Sequence, residues 1–365
     1  MKIALTLTRY IVGILFIFSG LVKANDPMGL AYKMQEFFEV WNWHFLNDYA
    51  LFFSVMMIAF EIIAGVAVII GWQFRLFSWM LLLLIIFFTF LTAYAAFSGK
   101  IKECGCFGDC FKLPSMGSFL KDIALTILIV FLFVYRDKIS SAWSDKMATY
   151  GMIAAVIFSF AIQFWVLAHL PIVDCLPYKT GANILEKRKI PAGAIPDSTV
   201  ITFVYKKDGK DVEFDADHFP ADFSDSAYQF VNRYDKVVRK GNAEPPIKDF
   251  VLVNENNIDT TEAILNQPGQ LLILFAKSWD PSWNEEVKAI QAKAVKNGIP
   301  FIIATSVADL VRANINAPVM KSDFVAIKTA ARVDPTLYLL DGGTIVDKWA
   351  LTDAENADDI LKRKD

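Results

Sequence analysis

Sulfur carries the plainest chemistry in this sequence. Three of its four cysteines, Cys104, Cys106 and Cys110, lie within one stretch of seven residues. Gly105 and Gly108 separate them and permit the tight turns that bring neighbouring thiols together. A disulfide between Cys104 and Cys106 would be strained and easily reduced, whereas Cys110 can bond to either of the others with less strain. This segment is therefore the first candidate for a functional site.

The segment permits three interpretations: a redox-active cluster, a disulfide that stiffens the loop, or a metal site. Redox chemistry is favoured because three nearby lysines would lower the pKa of a thiol; they are Lys100, Lys102 and Lys112. No metal site is expected, because the cysteine spacing is not that of a zinc site and the histidines are scattered. The histidines are His44, His169 and His218. The redox and the structural interpretation both stay open.

The composition is too apolar for a soluble globular protein. The 365 residues are 55% hydrophobic and 14% aromatic, with a mean hydropathy of +0.39. The apolar excess ends near Pro171, after which lysine and aspartate are common. The net charge of −3 provides no basic field that would attract nucleic acid. We expect a membrane protein in contact with lipid, with a water-soluble C-terminal half and no nucleic-acid partner.

Five apolar runs are long enough to cross a bilayer. They cover residues 3–22, 51–71, 76–97, 119–135 and 147–170. No small-residue cleavage site follows the first run, which predicts a retained signal anchor. An odd number of spans puts the chain ends on opposite sides, and clustered thiols form disulfides mainly in oxidising compartments. We expect a multi-pass protein of the inner (cytoplasmic) membrane, with the cysteine segment and the C-terminal half on the extracytoplasmic side.

The fourth cysteine, Cys175, follows the fifth span and would emerge on the same face as the other three. We predict that it pairs with one of them or acts as a resolving thiol. The alternative is a buried free cysteine, because free cysteines are often buried as small apolar residues.

Two charged residues lie inside the spans. Glu61 is near mid-bilayer, where a carboxylate is costly unless it is paired or protonated. Arg9 lies within the first span, and the simplest interpretation is a contact between Glu61 and Arg9. The functional alternative is a proton or ligand site within the helical bundle, for example for a quinone.

Residues 1–135 resemble the DoxX/MauE group of small four-helix membrane proteins. The matching features are Arg9-x-x-x-Gly13, Phe18-Ser19-Gly20 followed by Lys23, Glu61 with Gly65, and Cys104-Gly105-Cys106-Phe107-Gly108. The last string resembles the cysteine loop of the MauE branch. The resemblance implies a four-helix bundle over residues 1–140, loosely similar to vitamin K epoxide reductase-type proteins. The fifth apolar run predicts a further transmembrane helix over 141–170. It also implies a link to redox or disulfide chemistry in the bacterial envelope.

The C-terminal half divides into a linker with a small β-rich segment, 171–245, and an α/β domain, 246–365. A hairpin is predicted over 200–214, with Asp208-Gly209 at its turn, and 228–238 predicts a strand or a short helix. Further on, strands alternate with helices, which predicts a mixed sheet covered on both faces. The predicted strands are 250–253, 271–276, 301–305, 336–340 and 345–349, and the predicted helices are 259–265, 282–296, 307–315 and 354–362.

That order of elements resembles thioredoxin. Trp279-Asp280-Pro281-Ser282 stands where that family has its paired cysteines, so this domain would lack the dithiol. Asp334-Pro335-Thr336 resembles the segment with the family's cis-proline. The resemblance implies a groove beside Pro335 in which a partner is docked, with Pro281, Trp279 and Trp283 at its edges. The alternative is that both tryptophans pack against 171–245.

We therefore expect an envelope membrane protein that takes part in thiol-disulfide or quinone-linked electron transfer through Cys104, Cys106 and Cys110. A quinone would be the cofactor, an envelope protein with thiols the partner, and the soluble half the docking module. The alternative is a membrane-anchored scaffold without catalysis, in which the cysteines form a structural disulfide. Whether the chain is an enzyme stays open.

Overall fold

Helices form the N-terminal half of the chain. The computed structural model describes all residues except 102–104, 106, 112, 197, 216–217, 225–226, 240, 242 and 357–365, and except the side chains of 199 and 235–239. The five predicted spans are confirmed as helices long and apolar enough to cross a membrane. The helices are α1 (Lys2–Ala24), α2 (Pro27–Val40), a 3-10 turn (His44–Tyr49), α3 (Ala50–Ile70), α4 (Phe74–Ser98), α5 (Ser115–Val134) and α6 (Asp145–Ala168).

Local signals explain where these helices begin and end. The side chain of Asp26 accepts a hydrogen bond of 2.9 Å from the backbone N–H of Gly29, and Pro27 takes the first helical position of α2. α3 is followed by Gly71 and α4 by Gly99, with φ of 79° and 65°. Glycine adopts this left-handed conformation without a Cβ penalty, so both helices stop there.

α1 and α3 pack antiparallel with their backbones close together. A Cβ atom on Gly65 would lie 2.8 Å from the carbonyl oxygen of Gly13, and one on Gly20 would lie 3.3 Å from Cβ of Glu61. Small residues permit such an approach between membrane helices. These contacts set the register of the two helices and bring Glu61 opposite Gly20.

Two β-sheets dominate the C-terminal half. Their strands are β1 (Ser198–Lys207), β2 (Lys210–Asp215), β3 (Gln229–Arg239), β4 (Gln270–Ala276), β5 (Phe301–Thr305), β6 (Val319–Lys321), β7 (Thr336–Asp341) and β8 (Thr344–Ala350). The first sheet is antiparallel in the order β2-β1-β3, and the second has the order β6-β5-β4-β7-β8. In the second sheet β4 pairs parallel with β5, as does β5 with β6, whereas β4 with β7 and β7 with β8 are antiparallel.

Apolar side chains cover both faces of the five-stranded sheet. The helices around it are α7 (Ile184–Lys187), α8 (Thr261–Leu265), α9 (Asn284–Lys296), α10 (Ala308–Asn314) and α11 (Phe324–Ala330). α9 and α10 cover one face, while α11 covers the other together with Tyr178, Ile184 and Phe250. Tyr178 and Ile184 are fully buried. The composition of 171–196 suggests a linker, but part of it belongs to this core.

The predicted secondary structure differs from the observed one in a few places. The segment predicted as a strand or a short helix, 228–238, forms strand β3 from Gln229 to Arg239. The predicted hairpin turns at Asp208 and Gly209, with φ of 50° and 78°. β6 and α11 were not predicted, because both are too short to show a clear period. The predicted strand 250–253 is wrong: within it only Val253 forms isolated bridges, to Asp259 and Lys321. The predicted helix 259–265 is confirmed as α8. The predicted helix 354–362 begins within a 3-10 turn (Leu351–Asn356), and its remainder lies outside the described residues.

Candidate functional site at the cysteine loop

The cysteine loop, residues 99–114, connects α4 to α5 and is tied to the segment that follows α6. Cys110 forms a disulfide with Cys175, with Cα atoms 4.9 Å apart. Gly105 and Gly108 have positive φ, and the Gly108 N–H donates to the Gly105 carbonyl at 3.0 Å. Cys104 and Cys106 lie outside the described residues. Cys175 is thus bonded to a loop cysteine, and the loop and the soluble half lie at the same end of the bundle.

A mostly apolar cavity of about 620 Å³, the bundle cavity, lies among α1 to α5. Aromatic side chains form much of its wall, among them Phe16, Phe37, Trp41 and Phe88. Gly105 and Phe107, the chain neighbours of Cys106, also line it. The cysteine loop therefore closes one side of a cavity inside the helical bundle.

One wall of the bundle cavity carries a buried ion pair. Lys23 Nζ lies 2.5 and 2.8 Å from the two carboxylate oxygens of Glu61 and 3.0 Å from the hydroxyl of Ser19. Both ionic side chains are almost fully buried. The Lys23 ammonium also lies 5.2 Å from the centroid of the Phe88 ring, within reach of a cation–π attraction.

The predicted contact between Glu61 and Arg9 is wrong. Arg9 donates to the carbonyl of Ser140 at 3.2 Å, near the end of the bundle opposite to the cysteine loop. Because α1 and α3 are antiparallel and Gly20 faces Glu61, the basic residue within reach of that carboxylate is Lys23. The sequence of one helix does not determine its register with a neighbouring helix, so it could not show which basic residue lies beside Glu61.

A second polar cluster in the cavity wall was not predicted. Asp122 is 1% exposed and accepts a hydrogen bond of 3.0 Å from the Thr92 hydroxyl. Lys121 Nζ lies 2.7 Å from the other Asp122 oxygen and 4.9 Å from the ring centroid of Phe107. The signal was the same as for Glu61: an acidic residue inside an apolar span. Lys121 and Phe107 link this cluster to the cysteine loop.

A second space, the interdomain cleft, lies between α2 and the soluble half. Its volume is about 1250 Å³, and Cys175 and Asp109 are among the residues that line it. Lys33 lines both the cleft and the bundle cavity. The cysteine loop and its disulfide thus lie between two cavities of different character.

Buried ion pairs hold the soluble half against the bundle. Arg332, 9% exposed, pairs with Asp26 at 2.9 Å and also with Asp109. Burial raises the pKa of Asp26, and the nearby guanidinium of Arg332 acts against that rise. A further ion pair, Lys348 with Asp174 at 2.7 Å, ties β8 to the segment that follows α6. The end of the bundle that carries the cysteine loop is therefore the end on which the soluble half is seated.

The side chain of Asn25 extends this interface to the segment after α6. Its amide accepts from the N–H of Val173 and donates to the carbonyl of the same residue, both at 2.8 Å.

The residues around the predicted cis-proline lie at the interface between the soluble half and the helical bundle. The Asp334–Pro335 peptide bond is cis, as predicted. Asp334 accepts hydrogen bonds from the backbone N–H groups of Lys277 and Ser278, at 2.7 and 2.9 Å. Lys277 Nζ in turn donates to the hydroxyl of Tyr32 on α2 at 3.2 Å. The end of β4 and the segment before β7 are thus tied to each other and to the bundle.

The four predicted docking residues are not equally accessible. Trp279 is 7% exposed and Pro335 is buried, whereas Trp283 is half-buried and Pro281 is exposed. The two indole rings lie 5.9 Å apart, and both pack against the core on the α9 face of the sheet rather than against 171–245. A docking role for these residues stays a prediction.

Two family models match parts of the chain. Residues 1–135 match the methylamine utilisation protein MauE family, and residues 199–240, which hold the three-stranded sheet, match a domain of unknown function (DUF8463). No curated protein and no solved structure matches the chain. The first match covers α1 to α5 and with them the bundle cavity and the cysteine loop. The N-terminal part of this multi-pass membrane protein, residues 1–135, is similar to the MauE family.

Proposed function

We propose that this chain is an envelope membrane protein that transfers electrons from the thiols of a partner protein to a quinone. The observation that carries the proposal is the position of the cysteine loop between two cavities. Cys175, bonded to Cys110, lines the interdomain cleft, while Gly105 and Phe107, on either side of Cys106, line the bundle cavity. The match to the MauE family supports a role in membrane redox chemistry.

The bundle cavity has the properties that a quinone ring requires. Its volume is within the range of small-molecule sites, and its aromatic wall can cover an apolar ring. A bound quinone would supply an acceptor for two electrons and two protons. The Lys23 ammonium would place positive charge near a ring oxygen, and Glu61 and Ser19 hold its Nζ in place by accepting its hydrogen bonds. Asp122 and Thr92 offer carboxylate and hydroxyl oxygens that can hold a proton in the wall.

Thiol-disulfide exchange connects the two cavities. A partner thiolate attacks one sulfur of the Cys110–Cys175 disulfide, and a second partner thiol displaces it; the partner gains a disulfide, and Cys110 and Cys175 become thiols. The thiols of Cys110 and Cys175 then exchange with a disulfide between Cys104 and Cys106. This exchange re-forms the Cys110–Cys175 bond and leaves Cys104 and Cys106 as thiols. The thiols of Cys104 and Cys106 would give two electrons and two protons to a quinone bound in the bundle cavity, and their disulfide then forms again. A strained Cys-x-Cys disulfide is easily reduced, which favours this direction.

We further propose that the domain over 246–365 is thioredoxin-like and presents the partner. A central strand with parallel neighbours on one side and an antiparallel hairpin on the other supports this, together with the cis-proline before β7. The domain has no cysteine of its own, so the loop supplies the sulfur chemistry. Disulfides form and persist mainly in oxidising compartments. We therefore place the loop and the soluble half on the extracytoplasmic side of the inner membrane.

The test uses the full chain in lipid nanodiscs, with dithiothreitol as the dithiol and ubiquinone-1 as the acceptor. We expect quinone reduction, followed by its ultraviolet absorbance, that is lost in Cys104→Ser and Cys106→Ser. Cys110→Ser/Cys175→Ser should retain dithiothreitol oxidation, because a small dithiol reaches the inner pair, but should lose oxidation of a reduced unfolded protein. A Cys106→Ser variant as active as the wild type would contradict the proposal.

The second candidate is a non-catalytic scaffold with a structural disulfide. It is favoured by one observation: the Cys110–Cys175 bond ties the bundle to the segment that leads into the soluble half, across 65 residues. The reduction potential of this disulfide separates the candidates. A value below about −300 mV indicates a structural bond, and a higher value an exchanging one.

A further inference from the structure

The interdomain cleft has an excess of unpaired positive charge. Three of the four carboxylates that line it form ion pairs: Glu36 with Lys33, Asp109 with Arg332, and Asp174 with Lys348. The fourth, Glu39, accepts a hydrogen bond from Asn47 and lies 3.3 Å from His44. Four lining lysines have no ion pair within the part of the chain that the structure describes; they are Lys179, Lys187, Lys277 and Lys328. The cleft is therefore complementary to a negatively charged ligand.

Two of these lysines surround an aromatic ring on α2. The ammonium groups of Lys277 and Lys328 lie 5.9 and 5.1 Å from the ring centroid of Tyr32. Burial lowers the pKa of Lys277, where the charge of Asp334 acts against that fall, and it lowers the pKa of Lys328, where the positive charge of Arg332 adds to it. The carboxylate charges of Asp334 and Asp26 act on Lys277, and those of Glu36 and Asp323 act on Lys328. Among the described residues none of these carboxylates forms an ion pair with either lysine, so an anion from outside would stabilise both cations.

We infer that the interdomain cleft binds an acidic, extended segment of the partner protein, next to the cysteine that reduces the Cys110–Cys175 disulfide. This inference rests on the proposed function and names the partner's chemistry. The volume of about 1250 Å³ exceeds the usual range for small molecules. The unpaired lysines stand on three separate segments: the stretch after α6 with α7, the end of β4, and α11. A chain with several carboxylates can meet all three, whereas a single small anion cannot.

The lining also suits a polypeptide in other respects. Cys175 is half-buried at the cleft wall, so its disulfide can be reached from this side. Met28, Val40 and Phe324 give the same wall apolar surface for the uncharged side chains of a bound segment.

The test measures binding without sulfur chemistry. Two fluorescein-labelled peptides of equal length, each with serine in place of cysteine, carry flanking aspartates in one case and flanking lysines in the other. Fluorescence anisotropy with the full chain in nanodiscs should show at least tenfold tighter binding of the aspartate peptide. Lys187→Glu/Lys328→Glu should weaken that binding at least tenfold. The matched control Lys288→Glu/Lys296→Glu, on the exposed face of α9, should leave it unchanged.

Several outcomes would overturn the inference. Equal binding of both peptides would do so, as would an unchanged affinity in Lys187→Glu/Lys328→Glu. Succinate or inorganic phosphate that binds while the aspartate peptide does not would assign the cleft to a small anion. Retention of the Cys110–Cys175 bond in peptide maps shows that the variant has folded. Failure of dithiothreitol oxidation with intact peptide binding would instead remove the proposed function and leave the acidic-segment site.

Discussion

The bundle cavity and the interdomain cleft border the same loop, but charge is arranged in them differently. In the bundle cavity Lys23 is paired with Glu61, and Asp122 contacts Lys121. In the cleft, among the described residues, Lys277 and Lys328 have no ion-pair partner. An apolar wall cannot solvate a lone charge, so each charged side chain in the bundle cavity needs a partner of opposite charge. Water reaches the cleft, so a charged side chain there does not need such a partner. This difference predicts a lipid-soluble ligand on one side of the loop and a charged polypeptide on the other.

The largest effect should come from a single charge left alone in the bundle cavity. Lys23→Met leaves the Glu61 carboxylate unpaired and should cost about 3–5 kcal/mol of stability. The double variant Lys23→Met/Glu61→Gln should recover most of that loss, because no charge remains. Unfolding by sodium dodecyl sulfate titration in mixed micelles measures both. If Lys23→Met were as stable as the wild type, the cavity wall would tolerate a lone charge and the comparison would fail.

The next largest effect concerns the ion pairs that seat the soluble half. Arg332→Ala leaves Asp26 and Asp109 without their shared cation and should weaken the interface by about 2–5 kcal/mol. Faster hydrogen exchange in α2 is the expected readout. Arg312→Ala is the matched control, since its pair with the exposed Asp309 should contribute only about 0–1 kcal/mol. Unchanged protection of α2 in Arg332→Ala would show that other contacts hold the two halves together.

A smaller effect tests how tightly α1 and α3 pack against each other. Gly65→Ala puts a Cβ 2.8 Å from the Gly13 carbonyl oxygen, so α1 and α3 must separate. We expect a loss of about 1–3 kcal/mol, typical of overpacking. Gly117→Ala on α5, whose Cβ would find its nearest atom at 3.9 Å, should be neutral or stabilising by up to about 1 kcal/mol. Thermal unfolding in detergent compares the two, and equal stabilities would mean that the α1–α3 contact is soft.

The smallest expected effect is a pH dependence of the cleft. The pKa values of Lys277 and Lys328 are lowered by burial, so these lysines lose their charge at a lower pH than exposed lysines do. They are charged below the lowered pKa and neutral above it. The affinity for the aspartate peptide should therefore fall a few-fold as the pH rises toward the ordinary lysine range. Lys328→Arg should reduce this loss of affinity, because arginine stays charged. A wild-type affinity that does not change with pH would show that these two lysines do not contribute to peptide binding.

Several features followed from local sequence. Apolar runs predicted the five membrane helices, and Asp208-Gly209 marked the turn between β1 and β2. The cis bond at Pro335 was predicted from the resemblance to thioredoxin and not from the local sequence. Other features did not follow from local sequence: Glu61 was wrongly predicted to contact Arg9, and the buried cluster around Asp122 was not predicted. Periodicity and composition describe each segment by itself, but an ion pair depends on the register between two segments.

The sequence by itself determined that the protein has a helical membrane part, a mixed α/β soluble part and a cluster of thiols between two apolar runs. Those properties depend on length, hydropathy and turn residues, all of which are local. Only the tertiary structure decided that Cys110 is the partner of Cys175, that Lys23 neutralises Glu61, and that the disulfide lies between a bundle cavity and an interdomain cleft. The reason is that each of these contacts joins segments far apart in the chain, and packing sets their register.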